Sequence, residues 1–375
     1  FGTVGDYGTA TATGAVGGGS FSFQLEHQAA YLVFQPYTSN TILQSCKLTK
    51  VEVSSDNDIA ETYTFNPTTG ALDASAVTNG NKIVLTTATP VGIYKNGFPL
   101  TNNSASVTTN GAYMVIKPGT HTLKVRYWVK DVATNVEGTI TKTYPSTAYA
   151  SNTYYDMTAD LNVRDYDGDH YYMWDAKEQY WKGHEWNHGG SQPTLNLGSS
   201  SNYPKNNSDP RWYHEGGGSG RFDATQSCAT LPNVNEMTWY AVNGDPRWDG
   251  DELWTTMGHL YKGGMWFKKK AYISGYNSNT AVDGRDWRTI NESLLWFASN
   301  TLPSAADANK YFYLPVLGYY DSGRLYYLGT DGFYWSSSGN PWSGQLAYNL
   351  HFNSSYVYVQ PYFRNYGFRV EPTLE

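Results

Sequence analysis

From His121 to Lys130 apolar and polar residues alternate one for one. His121, Leu123, Val125, Tyr127 and Val129 fall on one side, and Thr122, Lys124, Arg126, Trp128 and Lys130 on the other. A period of two marks a strand with one buried face. Residues 21–34, 48–53, 81–86, 112–116 and 138–143 read the same way. Between these runs lie turn clusters such as Asn66-Pro67-Thr68-Thr69-Gly70, Asn96-Gly97 and Lys117-Pro118-Gly119. No run in this half joins helical period to helix caps, so it predicts a β-sandwich. The opening residues 1–20 are rich in Gly, Thr and Ala and predict a loose tail or an edge strand.

The pattern shifts near Leu161-Asn162-Val163, beyond which Trp, Gly, Asp and His become frequent. Two domains follow, residues 1–163 and 164–375, as expected for a chain of 375 residues. Asn233 with Glu236 three residues later forms a capping-box signature. Val234, Met237 and Ala241 then share a helical face, and Asn243-Gly244 ends it. A second helix is predicted from Asn291 through Leu294, Leu295 and Phe297. Near the end, Leu346, Tyr348, Leu350 and Phe352 oppose Ala347, Asn349 and His351. After Asn353-Ser354-Ser355, Val357 and Val359 alternate with Tyr356, Tyr358, Gln360 and Tyr362, which predicts a hairpin with one apolar face. Its other face is an ordinary solvent face or a recognition surface. Tyr, Asn and Gln in place of Lys, Glu and Thr favour recognition, because phenols and indoles give contact area at low entropy cost.

Composition narrows the function. A net charge of −7 with no long basic run argues against nucleic acid as a partner. Lys268-Lys269-Lys270 reads as a solvated strand end. No run approaches the roughly 18 apolar residues of a spanning helix, so no membrane span is expected. With 33 Tyr, 13 Trp and 37 Gly, the bias is toward strands and shaped loops. Cys46 and Cys228 fall in different predicted domains, which argues against a disulfide between them. Phe1 is not an initiator Met and no export leader is visible, as expected where one has been removed, and Leu374-Glu375 could be a vector scar.

Two family resemblances are carried by particular residues. The stretch from Gly19 to Phe34, then Leu48-Thr49-Lys50-Val51-Glu52-Val53, Tyr63-Thr64-Phe65-Asn66 and Thr69-Gly70-Ala71-Leu72, resembles the N-terminal domain of Bacteroides-type fimbrillins. That resemblance implies an all-β transthyretin-like sandwich, export as a lipoprotein to the outer membrane, and assembly with other fimbrial subunits by strand exchange.

In the second half, Thr230-Leu231-Pro232-Asn233-Val234-Asn235-Glu236-Met237, Gly263-Gly264-Met265-Trp266, Gly332-Phe333-Tyr334-Trp335-Ser336-Ser337 and Arg364-Asn365-Tyr366-Gly367-Phe368-Arg369-Val370 occur in that order. Their succession is similar to the C-type-lectin-like fold of formylglycine-generating-enzyme relatives, the Fibrobacter-type paralogous domain and retroelement-diversified receptors. The resemblance implies an α+β domain with a short antiparallel sheet, two helices and long loops. The cysteine pair of the formylglycine-generating enzyme has no counterpart, since Cys228 stands alone and upstream. Gln360-Pro361-Tyr362 lacks the acid of a calcium-dependent sugar site. The binding branch of that group remains.

His184-Glu185-Trp186-Asn187-His188 matches H-E-x-x-H, a zinc motif that works on a helix. Here Lys182-Gly183 precedes it and Gly189-Gly190-Ser191-Gln192-Pro193 follows. Ser191 and Thr194 stand where the metzincin extension needs Gly and His, so a structural loop is expected. Asp165, Asp167 and Asp169, or Asp245, Asp249, Asp251 and Glu252, could hold a structural calcium, with solvated acidic loops the plainer reading. No cofactor is otherwise expected. No G-x-S-x-G elbow occurs and no carboxyl pair stands out for glycoside hydrolysis.

The sequence therefore predicts a non-enzymatic, cell-surface fimbrial subunit, placed at the tip. It acts as an adhesin for a host or bacterial glycan or protein. The expected contacts are Trp335, Ser337, Trp342, Asn349, His351, Tyr356, Tyr358, Gln360 and Tyr362. The alternatives are a metal-dependent hydrolase using His184, Glu185 and His188, or a purely structural pilus subunit.

Overall fold

The alternating run around Val125 forms the strand Gly119–Lys130, in which His121, Leu123, Val125, Tyr127 and Val129 are all buried. The computed structural model describes residues 6–69, 72–189, 192–193 and 198–371. The chain divides into two units, Phe1–Arg164 and Asp165–Glu375, each built mostly of β-sheet.

In the first unit Gly119–Lys130 pairs antiparallel with Glu137–Tyr149 on one side and Lys47–Ser55 on the other. Lys47–Ser55 then carries Lys82–Thr86 and, at its start, Phe98–Pro99. A second sheet centres on Ala30–Tyr37, with Thr153–Asp160 parallel on one edge and Ala112–Ile116 antiparallel on the other. Phe34 meets Tyr127 edge to face at 6.3 Å, joining the buried faces of the two sheets. The run Ala30-Tyr31-Leu32-Val33-Phe34 is apolar without alternation because the strand is covered on both sides.

The first unit corrects the sequence reading in two places. The strand expected over residues 21–34 begins at Ala30, apart from the two-residue strand Glu26–His27. Phe21, Phe23 and Leu25 are more than half exposed, for lack of a sheet to receive them. Gly8–Thr9 pairs with Glu26–His27, and Thr13 bridges Ser22. One helical turn, Val107–Asn110, interrupts the strands without a side-chain cap. At the predicted turn, the Thr68 and Thr69 N–H groups donate to Asn66 Oδ1 at 3.0 and 3.2 Å. Residues 1–5, Gly70-Ala71 and Leu374-Glu375 lie outside the described residues.

The second unit contains the predicted helix, Val234–Val242, with both arms of its capping box made. Asn235, fully buried, fastens the helix to the following loop. Its Nδ2 donates to Asp286 Oδ1 at 2.9 Å, and its Oδ1 accepts the Trp287 N–H at 2.8 Å. The helix packs Val234, Met237, Tyr240 and Ala241 into one cluster with Tyr334, Leu350, Phe352, Val357 and Val359. Those residues line one face of a large sheet ordered Tyr171–Tyr172, Phe368–Arg369, Gly332–Gly339, Leu346–Phe352, Tyr356–Phe363 and Leu294–Phe297. The hairpin Leu317–Asp321 and Arg324–Leu328 joins it where Gly318 bridges Gly332. Arg247–Thr256, His259–Lys268 and Tyr311–Pro315 pair in a second sheet.

The second helix expected from Asn291 is instead the strand Leu294–Phe297. Its four residues pair antiparallel with Tyr356–Val359, from Leu294 opposite Val359 to Phe297 opposite Tyr356. A short apolar run fits either element. Here the open edge of the neighbouring strand decides for pairing.

Candidate ligand-binding face

Residues directly opposed in antiparallel strands share one side of a sheet. On the face turned away from the helix, Leu295, Tyr358, His351 and Phe333 therefore form a row across four strands. Phe297 and Tyr356 lie beside it. The His351 ring stacks on Phe333 at 4.1 Å and meets Tyr356 edge-on at 5.5 Å, and Tyr356 meets Tyr358 at 6.0 Å. His351 is fixed by Asp331, whose Oδ1 lies 2.9 Å from Nε2; the same oxygen accepts Asn353 Nδ2 at 3.3 Å.

The structure separates the predicted contact residues. Tyr356, Tyr358, Gln360 and Tyr362 lie half-buried on this face, with Val357 and Val359 buried beneath. Trp342 is 69 % exposed on the loop after Gly332–Gly339, and no ring contact among the described residues joins it to the row. Ser337 is half-buried, its N–H donating to Pro232 O and its carbonyl accepting from Ala224 N–H.

Three of the predicted residues are corrected. Trp335 is buried, stacked on Phe368 at 4.2 Å with Nε1 donating to Tyr172 O. Asn349 is fully buried and donates from Nδ2 to Gln360 O at 2.9 Å. His351 is 9 % exposed beneath Tyr356. Trp335 is covered by a second, smaller core on this outer face, in which Trp174, Tyr319, Phe333, Trp335, Ala347 and Phe368 pack together, and His351 lies between Phe333 and Tyr356. The sheet is thus covered on both sides at its centre and open toward its edge.

Sequence reading passed over the rings that extend the face. Tyr319 contacts Phe333 at 4.7 Å, Tyr366 at 5.4 Å and Tyr362 at 6.5 Å, and it stacks with Tyr326 and Tyr327. At the opposite end, Leu295 and Phe297 stand 45 % and 71 % exposed on the outermost strand. The tandem pairs Tyr319-Tyr320 and Tyr326-Tyr327, set around Asp321-Ser322-Gly323-Arg324, were the available signal. Burial first, then neighbouring phenols and Asp321, pushes the Tyr319 and Tyr366 hydroxyls above the ordinary range. Tyr362 is raised by burial, then by Tyr327 and Asp321. These phenols stay neutral at physiological pH and serve as both donors and acceptors.

The motifs that suggested other chemistry are placed as follows. The His184 to His188 segment is a succession of turns rather than a helix. Glu185 Oε1 accepts the Gly183 N–H at 3.1 Å, and its Oε2 lies 3.9 Å from His188 Nδ1. Backbone N–H groups hold the Glu185 carboxyl below its usual range. Ser191 and Thr194 fall outside the described residues. Asp167 Oδ1 accepts the N–H groups of Asp169 and His170, and Asp249 Oδ1 those of Asp251 and Glu252. Among the described residues no three His, Cys, Asp or Glu side chains converge as metal ligands. Cys46 and Cys228 are both free and buried. Among the described residues no helix is long and apolar enough to cross a membrane.

Residues 298–372, which carry most of this face, match a family model described as a domain of unknown function, DUF8237. No curated protein matches the chain. Among solved structures it is similar to a "putative cell adhesion protein" from Bacteroides fragilis, at 14 % identity and a TM-score of 0.25. The likeness covers 37 % of this chain and 43 % of that one, so the chain spans less than half of that protein's length.

Proposed function

We propose that this chain is an exported, non-catalytic fimbrial subunit of the cell surface. Its second unit, a C-type-lectin-like domain in this reading, acts as an adhesin at the fimbrial tip. The observation that carries the proposal is the outer face of the Tyr356–Phe363 strand. There Tyr356, Tyr358, Gln360 and Tyr362 stay accessible above buried valines, while Trp342 projects nearby in sequence from its loop. Rings and amides held on a rigid sheet suit the grip of a glycan or a protein, because few rotamers are lost on binding. The first unit, read as a transthyretin-like sandwich, supplies the assembly function. A cleft of about 940 Å³, lined by Tyr63, Phe65, Ile83, Leu85, Met114 and Ile116, borders Lys82–Thr86 and Ala112–Ile116. Both strands are the last of their sheets. An apolar cleft beside unpaired edges suits a strand donated by another subunit.

The test is a binding screen of the intact chain against host-cell glycans and surface proteins, repeated with Tyr358→Ala and Trp342→Ala combined. Binding should be abolished while the melting temperature stays nearly unchanged. A folded double variant that binds as before would refute the surface assignment. Antibody labelling of the second unit in electron micrographs distinguishes a tip from a purely structural stalk subunit.

A further inference from the structure

We infer that Tyr327, flanked by Tyr326, forms the floor of a binding platform for an uncharged saccharide; this rests on the adhesin reading above and names its ligand class. The platform begins with a backbone anomaly. Tyr327 sits in the left-handed region at φ 58°, and both it and Gly318, at φ 64°, fall between the register pairs Leu317–Leu328 and Tyr319–Tyr326. That conformation suits Gly or Asn and is unfavourable for a bulky residue.

The surroundings hold it in place. The Tyr327 carbonyl accepts from Thr330 N–H, Thr330 Oγ1 and Asp331 N–H, each at 3.0 Å. Gly318 is required on the neighbouring strand, since a Cβ there would come within 2.1 Å of the Tyr326 carbonyl oxygen. Tyr327 is nonetheless 52 % exposed, with Tyr319, Tyr326 and Phe333 as its ring neighbours. A position that favours glycine carries a phenol turned to solvent.

The kink changes where the rings go. Consecutive strand residues ordinarily point to opposite faces. Here both rings lie against Tyr319, Tyr326 at 5.6 Å and 25°, Tyr327 at 6.0 Å and 21°. The result is a cluster of phenols in which Tyr326 and Tyr327 each lie near-parallel to Tyr319 and are tilted 38° from one another, flanked by Tyr366 at 5.4 Å from Tyr319 and by Tyr362 at 5.3 Å from Tyr366.

The chemistry points to sugar. Flat ring faces with negative quadrupoles attract the polarised C–H groups on one side of a pyranose, and phenol hydroxyls exchange hydrogen bonds with its hydroxyls. Charge at the platform is balanced: Asp321 and Arg324 oppose each other in register, and the Arg324 guanidinium lies over the Tyr326 ring at 5.0 Å. Such a surface has no excess field to draw an anionic or cationic ligand. The exposed apolar side chains Leu295 and Phe297 lie at the far end of the face.

The test titrates the full chain with cellohexaose, mannohexaose and a galactohexaose, with a heparin hexasaccharide as the anionic comparator. At least one neutral hexasaccharide should bind, and heparin should bind more weakly. Tyr327→Gly should lower that affinity about tenfold or more. Its melting temperature should hold or rise, because glycine accepts the left-handed backbone. Failure of all three neutral probes at millimolar concentration, unchanged affinity in Tyr327→Gly, or tighter binding of heparin overturns the inference. So does a marked fall in melting temperature in Tyr327→Gly, which would make the ring structural. If a host protein binds in a Tyr358- and Trp342-dependent way but no saccharide does, this inference falls and the adhesin reading stands. Saccharide binding lost in Tyr327→Gly but intact in the Tyr358, Trp342 double variant upholds this inference and refutes the surface assigned above.

Discussion

The guanidinium of Arg364 lies 4.3 Å from the centre of the Trp174 ring, and the whole side chain is buried. It makes no ion pair among the described residues and is spent on carbonyls instead. Nε donates to Leu346 O, and Nη1 to His214 O and Gly216 O at 3.1 and 2.9 Å. Burial lowers its pKa to about 10, so it remains charged at neutral pH. A planar donor fork here ties the loop after Tyr213 to the sheet.

Arg364→Lys should therefore cost about 2–4 kcal/mol, because a compact ammonium cannot serve three separated carbonyls and leaves buried acceptors unmet. Chemical denaturation gives the value directly. A loss below about 0.5 kcal/mol, the scale of an ordinary surface change, would show that the fork is dispensable.

Asp175 is the partner anchor. Fully buried and itself at φ 52°, it accepts the N–H groups of Thr225, Gln226 and Cys228 at 2.7, 2.7 and 3.0 Å, and its Oδ2 pairs with His214 Nδ1 at 2.8 Å. Asp175→Ala should destabilise the second unit by roughly 3–5 kcal/mol through buried donors left without an acceptor. Hydrogen exchange at Thr225, Gln226 and Cys228 should rise in step with the loss, and unchanged protection there would refute the anchor.

Stability should fall in acid. At Asp245, Asp283 and Asp286 burial is the largest influence and alone would raise the pKa. The combined hydrogen bonds from Tyr311 and Arg247, from Arg285 and Trp287, and from Arg288 and Asn235 outweigh it and leave each carboxyl lowered. A folded pKa below the unfolded value of about 3.9 gives stability that is complete above that pH and lost as pH falls through the folded values. Unfolding midpoints should hold from pH 8 to 5 with respect to these groups and drop as the pH falls below about 4. A stability maximum below pH 3 would contradict the assignment.

Both thiols should be inert in the folded chain. Burial, then Asp131, pushes Cys46 up to about 12; burial above all raises Cys228 as well. Alkylation by iodoacetamide at pH 8 should be negligible until denaturant is added, since the thiolate is the reactive form. Rapid labelling of either cysteine without unfolding would count against the packing described.

Elemental analysis of the purified protein should find zinc well below one equivalent, given turns where H-E-x-x-H needs a helix. Stoichiometric zinc, lost in His188→Ala, would instead favour the hydrolase reading.

What the sequence disclosed was whatever depends on near neighbours. The alternation of Leu123, Val125 and Tyr127, the capping box of Asn233 and Glu236, and the hairpin from Leu346 to Phe363 are all local patterns, and each is formed. The burial of Trp335 was illegible because its cover comes from Trp174 and Phe368, brought together only by the tertiary fold, and that of His351 because it depends on Phe333 from the neighbouring strand. Leu294–Phe297 carried an ambiguous period that its strand partner resolved. Tyr327 gave no turn signal, since the residue type that normally announces a left-handed backbone is absent.

The parallel pairing of Ala30–Tyr37 with Thr153–Asp160 governs when the first unit can close. Ribosomes deliver the earlier strand first, and it must wait until residue 160 has emerged before that edge is satisfied. Contacts so distant along the chain fold slowly and leave intermediates exposed. Completion of this unit is therefore a late event, and a nascent chain arrested before residue 153 would carry its most apolar strand with one flank bare.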